Sequence, residues 1–213
     1  MKIIDVSDLA LSGVRVLRYE KFKDERGYFS EIFRLSDVSK AEVLGNLKIE
    51  QSNESYSKKN VIRGLHFQWN PYMGKLVRTI FGHMVDIVLD IRVGSPNFGK
   101  VIFYDMPSTH LQDWSEWIWV PPGFAHGNFF LEDSQIEYFC TSSYNPECER
   151  SISPFSNDLD FSLADESLKK LFENLVTGKS LVSEKDKAGL SVSDWKNDSN
   201  SNQFLFDSSS KTS

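Results

Sequence analysis

GKLVRTIFGHMVDIVLDIRV, residues 74–93, is the stretch on which the fold turns. It is dense in β-branched and apolar residues and is interrupted near Gly82, so it reads as two strands broken at that glycine. Downstream, EWIWV at 116–120 reads as another strand, PPGFAH at 121–126 as a turn, and residues 128–142 as at least one further strand. From Val14 to about Tyr144 the chain continues in this manner, in short β-rich runs punctuated by Gly, Pro, Asn and Ser. That is an all-β signature. With 16 Phe and 5 Trp, the composition suits a barrel filled or lined by large flat side chains. No internal repeat is present.

Past Pro154 the pattern changes. SLADESLKKLFENLV at 162–176 carries Leu163, Leu168, Leu171 and Leu175 close to one helical face, so one or two helices are expected after the barrel. Residues 191–213 are rich in Ser, Asn and Asp and read as a poorly ordered tail behind a single domain of residues 1–190. A docking strand at FLF (204–206) is the alternative for that tail.

The 213 residues include 24 basic and 30 acidic side chains, a net charge of -6. No general attraction to nucleic acid or anionic membrane follows, and an anionic ligand has to be held by a few local Arg and Lys residues. The two cysteines, Cys140 and Cys148, are too few for a disulfide framework or a Cys-built zinc site. The opening MKIIDVSDLALSG has no signal-peptide pattern, and no run of some 18 apolar residues occurs, so a soluble cytoplasmic protein is expected.

Four histidines are available: His66, His83, His110 and His126. A lone histidine in a β-protein is more often structural than catalytic, but two of these have unusual neighbours. His66 lies in VIRGLHFQ and His126 ends PPGFAH. The latter fits the P-x-G-x-x-H half of a cupin signature. The other half would need H-x-H and a spaced Glu to bring three or four ligands to a metal, and here the sequence reads His66-Phe67-Gln68. A cupin-type jelly-roll barrel without a metal or other cofactor is therefore expected, its histidines free to act as bases.

Several long motifs, in order, resemble the dTDP-4-dehydrorhamnose 3,5-epimerase family over roughly residues 14–190. They are DERGYFSEIF (24–33), QSNESYSKKNVIRGLHFQ (51–68), the 74–92 stretch, SPNFGK (95–100), WIWVPPGFAHG (117–127) and SEKD (183–186). The resemblance implies a metal-independent isomerase of polysaccharide biosynthesis. It would act as a homodimer on a nucleoside-diphosphate 4-keto-6-deoxysugar, by removing a proton beside the ketone. It assigns His66 as the base and Asp186 as the carboxylate that orients it, a sound pairing because a carboxylate on one ring nitrogen fixes the tautomer at the other. Lys75, Arg63 and His126 are implied around the enolate, whose charge requires prearranged donors. Arg26, Phe29 and Glu31 are implied at the nucleotide, from a strand that reaches a neighbouring subunit. Gln51, Asn53, Arg63 and Tyr144 are expected to line the other side, Arg being suited to forked contacts with phosphate.

One departure stands out. Members of that family place a tyrosine acid across the sugar from the histidine, and counting from His126 and Tyr144 puts Phe139 there, one place after Tyr138. Neighbours in a strand point to opposite faces. Either a bulge turns Tyr138 inward, or another group or water returns the proton, or fewer than two centres are inverted; an altered outcome or substrate is the favoured expectation. Asn128, where an apolar residue is expected after the His-Gly pair, also marks a modified pocket. The rival readings are a metal-dependent cupin isomerase or dioxygenase, and a sugar-nucleotide binding protein that has lost its acid.

Overall fold

The structure is a computed structural model that describes residues 1–45 and 48–206. The first strands are β1 (Ile3–Asp8), β2 (Arg15–Glu20), β3 (Phe22–Asp24) and β4 (Gly27–Phe29), followed by helix α1 (Leu35–Lys40). The barrel proper follows in β5 (Gln51–Ser57), β6 (Ile62–Gln68), β7 (Lys75–Phe81), β8 (His83–Asp90), β9 (Val101–Pro107), β10 (Trp114–Val120), β11 (Phe124–Phe130) and β12 (Ser134–Cys140). The short β13 (Glu149–Ser151) and helices α2 (Glu166–Thr177), α3 (Glu184–Lys187) and α4 (Val192–Asn197) complete the chain.

Two sheets face each other, a six-stranded one in the order β1-β2-β10-β7-β12-β5 and a five-stranded one in the order β13-β6-β11-β8-β9. From β5 to β8 and again from β10 to β12 the chain changes sheet at every turn, which makes the architecture a cupin-type jelly roll. The decisive 74–93 stretch does form two strands around Gly82, but they belong to opposite sheets. Gly82 turns the corner at φ +81°, and a Cβ there would lie 2.3 Å from the carbonyl oxygen of Asp133. Only glycine fits.

The unbroken apolar character of β8 has a direct cause: both of its faces are covered. Met84 and Val88 point between the sheets with Val77, Ile118, Phe130 and Ile136. Val85, Ile87 and Leu89 point outward, beneath Phe172 of α2 and Trp195 of α4. The outer face of the six-stranded sheet is covered around α1, where Val38, Val43 and Leu44 meet Trp117 and Trp119.

Helix α2 begins at Asp165, whose carboxylate accepts the backbone N–H groups of Ser167 (2.9 Å) and Leu168 (3.1 Å). Its anchor is Phe172, 3% exposed, whereas Leu171 is 39% exposed and Leu163 precedes the helix. Leu168 and Leu175 of the leucine stripe pack on the same core as Phe172, and only Leu171 turns away from it.

Residues 191–206 depart from the expected loose tail. Ser191 and Asp194 form a capping box on α4, and Asp198 caps the 3₁₀ turn Ser199–Phe204. The polar composition is used in caps, while Trp195 and Phe204 pack against Phe67. Leu205 then bridges Val93 in parallel, so the FLF segment docks. Residues 207–213 lie outside the described residues. None of the described helices is long and apolar enough to cross a membrane.

Asp158 holds the start of α4. It accepts the N–H groups of Val192 (3.0 Å) and Ser193 (2.8 Å) and the hydroxyls of Ser156 and Ser193. Burial would raise its carboxyl, but these four donors hold it far below the usual carboxylate range. The stabilisation is therefore complete above the unfolded value near 4 and is lost as pH falls toward the folded value. Because the group is partly open to water, Asp158→Asn is expected to cost only about 1 kcal/mol at pH 7. Urea unfolding at pH 7 and pH 2 checks this: the gap from the wild type should narrow at the lower pH.

Candidate active site

Between the sheets lies a cavity of about 540 Å³ whose walls include Arg63, His66, Lys75, His126, Tyr138 and Asp186. A second lobe of about 320 Å³ shares His66, Lys75, His126 and Tyr138 and extends to Gln51, Asn53 and Tyr144. Residues distant in sequence are brought together by a bulge. On β11 His126 pairs with His66 and Asn128 with Arg63, so three steps along β6 oppose two along β11. In a regular strand Arg63 and His66 would face opposite ways; the extra residue turns both into the cavity. Gly64 and Gly127 permit it, since a Cβ on Gly64 would lie 2.7 Å from Gly127 Cα and one on Gly127 would lie 2.4 Å from the Arg63 carbonyl oxygen.

His66 Nε2 is hydrogen-bonded to Asp186 Oδ1 at 2.7 Å, across 120 residues of sequence. Asp186 arrives there because Leu181 exchanges backbone bonds with Asn60 (2.9 Å) and Ile62 (3.0 Å), and Ser183 caps α3 by accepting the Asp186 N–H. The second carboxylate oxygen accepts the Gly64 N–H at 3.2 Å. Burial opposes ionisation of Asp186, but the His66 bond and this backbone donor hold its carboxyl below the ordinary range. A charged acceptor on Nε2 leaves Nδ1 as the basic nitrogen.

Near Nδ1 stands a residue that sequence reasoning missed. Glu149 Oε1 lies 3.9 Å away, while Oε2 accepts the Tyr144 hydroxyl (3.0 Å) and the Lys185 ammonium. Burial would raise the Glu149 carboxyl, and the Lys185 and Tyr144 bonds with the neighbouring charges outweigh it, so the net direction is down. In the linear sequence Glu149 is one of several charges in NPECER and carries no distinguishing signal. Asp86 was also missed, although an acid in MVDIVLD, between apolar neighbours in a two-sided strand, is a legible anomaly. Fully buried, it bonds His126 Nε2 at 2.8 Å.

Lys75 projects into both lobes, and among the described residues nothing forms an ion pair with its ammonium. Burial lowers its pKa. An unpaired cation in a sheltered cavity is suited to a developing anion.

The tyrosine question resolves by strand parity. Along β12 the register with β5 is unbroken from Ser134 to Cys140, and Ile136, Tyr138 and Cys140 share the inward face. Tyr138 reaches the cavity without any bulge of its own strand. Phe139 points the other way, stacked on Trp117 with ring centroids 4.9 Å apart and edge-on to Phe33 at 4.9 Å. It lines neither lobe, and the residue that the strand presents to the cavity across from the histidine is Tyr138. A tyrosine therefore stands on the wall where the sequence count places phenylalanine. Burial raises the Tyr138 phenol pKa, keeping it protonated.

Gln51 and Asn53 line the second lobe from β5, and Gln51 Oε1 accepts the Tyr144 N–H at 2.9 Å. Arg26, Phe29 and Glu31 are not part of either lobe. The first two lie on the separate β3–β4 hairpin, with the Arg26 side chain 85% exposed and paired to Asp24, and Phe29 69% exposed. Glu31 is tied to Arg34 and the N-terminal amine. Among the described residues no three His, Cys, Asp or Glu side chains converge to hold a metal ion. Asp90, the other buried acid of β8, is a structural clasp that binds Arg92 (2.6 Å) and Ser95 (2.7 Å).

A jelly-roll barrel thus encloses a carboxylate-bonded histidine, a tyrosine on the facing sheet and a lysine without an ion-pair partner among the described residues, groups of the kind that proton transfer in a sheltered cavity needs. Residues 8–194 match the family model for dTDP-4-dehydrorhamnose 3,5-epimerase. The chain is similar to the dTDP-4-dehydrorhamnose 3,5-epimerase of Sinorhizobium fredii, 40% identical over 68% of this chain and 72% of that protein. It is equally similar to that of Neisseria gonorrhoeae, 40% identical over 69% of this chain, where the match spans 43% of the relative's length. Among solved structures it resembles the dTDP-6-deoxy-D-glucose-3,5-epimerase of Legionella pneumophila Philadelphia 1, in complex with dTDP-4-keto-L-rhamnose. That likeness has a TM-score of 0.75, with 30% identity covering 89% of this chain and 93% of that one. The chain belongs to the dTDP-4-dehydrorhamnose 3,5-epimerase family, a family of isomerases.

Proposed function

We propose that this protein epimerises a nucleoside-diphosphate 4-keto-6-deoxysugar at the carbons flanking the ketone. The observation that carries the reading is the His66–Asp186 pair at 2.7 Å facing Tyr138 across the cavity. His66 Nδ1 removes the proton beside C4, and the electrons move to the ketone oxygen. Lys75, with Arg63 and His126 nearby, stabilises that enolate. Tyr138, on the opposite wall, gives a proton to the other face of the carbon as the enolate electrons return to it; His66 then releases its proton to solvent and Tyr138 takes one back from solvent. No cofactor enters this scheme.

The nucleotide end is assigned to the second lobe, with Gln51, Asn53 and Tyr144. Arg26, Phe29 and Glu31 would then act on the cavity of a second copy, in a homodimer whose partners exchange the β3–β4 region. What supports this is the exposure of Phe29 and the unpaired outer edge of β5 beside the lobe. A cytoplasmic location fits a nucleotide-activated substrate.

Proton NMR in heavy water with a panel of 4-keto-6-deoxysugar nucleotides tests the reading, because it reports the reacting carbon. Deuterium uptake beside the ketone is expected; its absence with every panel member leaves a binding protein. The role of Tyr138 is separable. Tyr138→Phe should slow formation of inverted product about a hundredfold while His66-driven exchange persists. Phe139→Leu should leave turnover unchanged. Parallel measurement of exchange and product for the two variants checks this, and the reverse pattern would restore Phe139 to the site.

A further inference from the structure

The cavity wall built by β6, β11 and β8 carries a row of three polar side chains. Asn128 in the centre is paired with Arg63 on one side and Asp86 on the other. Asn128 is 5% exposed and lines the cavity beside His66 and His126. Its Nδ2 donates to Asp86 Oδ2 at 3.2 Å. A carboxylate only accepts, so the orientation of the amide follows: the NH₂ group faces Asp86 and Oδ1 is left for another donor.

No donor within the described residues meets that oxygen. Of the row, Arg63 directs Nε to Ser57 Oγ (2.8 Å) and Nη2 to the Tyr56 carbonyl (3.1 Å). His126 is bonded to Asp86. Phe124 and Phe130, the other inward residues of β11, are apolar. An amide oxygen that opens onto a ligand cavity and has no protein donor is satisfied when the ligand supplies the proton.

Resting on the sugar-nucleotide reading above, we infer that Asn128 Oδ1 accepts a hydrogen bond from a ring hydroxyl of the bound sugar, which makes Asn128 a specificity-determining residue. The choice of group follows from the substrate's chemistry. Near the ketone, the carbonyl oxygen and the C6 methyl cannot donate, and the diphosphate presents acceptors. The hydroxyls at C2 and C3 are the donors that remain. A site that bonds a hydroxyl rejects the analogue lacking it, because its own polar atom is left unpaired.

The test compares kcat/KM of the wild type and Asn128→Leu on the parent 4-keto-6-deoxysugar nucleotide and on its 2-deoxy and 3-deoxy analogues. Asn128→Leu is expected to lose about tenfold on the parent and less than about twofold on one of the analogues, since the bond it removes is already absent there. An equal loss on all three substrates would overturn the inference and leave Asn128 as a support for Asp86 alone. Asn128→Ala, measured the same way, serves where the leucine variant does not fold. Binding of a non-reactive nucleoside-diphosphate 6-deoxyglucose to the wild type, by calorimetry, separates the two levels. If the wild type neither binds it nor takes up solvent deuterium, the sugar-nucleotide reading fails and this inference with it. If it does either, a uniform loss counts against Asn128 only.

Discussion

Replacing His66 by Asn is expected to lower solvent-deuterium exchange of the sugar's ring protons by about 10²–10⁴-fold, the span typical for removal of a positioned general base. Asparagine keeps a polar group of similar reach but has no nitrogen that can accept a proton. Binding of the sugar nucleotide should therefore change much less than turnover. Asp186→Asn should give a smaller loss in the same direction, because the imidazole stays in the cavity while its tautomer is no longer fixed by a charged acceptor at 2.7 Å. Exchange rates from NMR, set beside binding constants from calorimetry, check both. Exchange undiminished in His66→Asn would transfer the base to another residue, with Glu149 the first to examine.

Trp195→Ala should destabilise the fold by about 3–5 kcal/mol, the range for truncating a large buried aromatic. Trp195 is completely buried, stands edge-on to Phe67 with centroids 4.6 Å apart, and donates its indole N–H to the Ile91 carbonyl at 3.0 Å. Truncation opens a cavity against the five-stranded sheet and leaves that carbonyl without its donor. Trp195→Phe should recover most of the packing but not the hydrogen bond. Urea denaturation of the three proteins measures the difference. The consequence reaches the site, because α4 follows directly on Leu190, whose exchange of backbone bonds with Ser151 and Ser153 fixes the end of the Asp186 segment. A wild-type midpoint in Trp195→Ala would return residues 191–206 to the status of a dispensable tail.

Much of the site could be read before any coordinates. Arg63, His66, Lys75, His126 and Asp186 all line the cavity, and each was named through the resemblance of long ordered motifs, not from its own local spacing. The hairpin residues were placed by resemblance to a site completed by a second subunit, and a single chain leaves them in solvent. Glu149 was missed because nothing local separates it from Glu147 two residues earlier; only the pairing of β13 with β6 sets it beside His66. Tyr138 and Phe139 were exchanged for a related reason. An alternation of two assigns faces only after one residue is anchored, and here the anchors are Ile136 and Cys140, whose burial is a property of the closed barrel.

By itself, the sequence determined that a long run of short strands precedes a helical segment, since this follows from side-chain type and short-range spacing, while the residues able to exchange protons were legible only through the resemblance of whole motifs. Tertiary structure alone decided that β7 and β8 part into opposite sheets, that a bulge at Gly64 aims Arg63 and His66 the same way, and that a Ser-, Asn- and Asp-rich end is capped and anchored. The physical reason is common to all three. Each depends on a partner far along the chain, a facing strand or an aromatic pocket, and spacing within a segment carries no record of what will be packed against it.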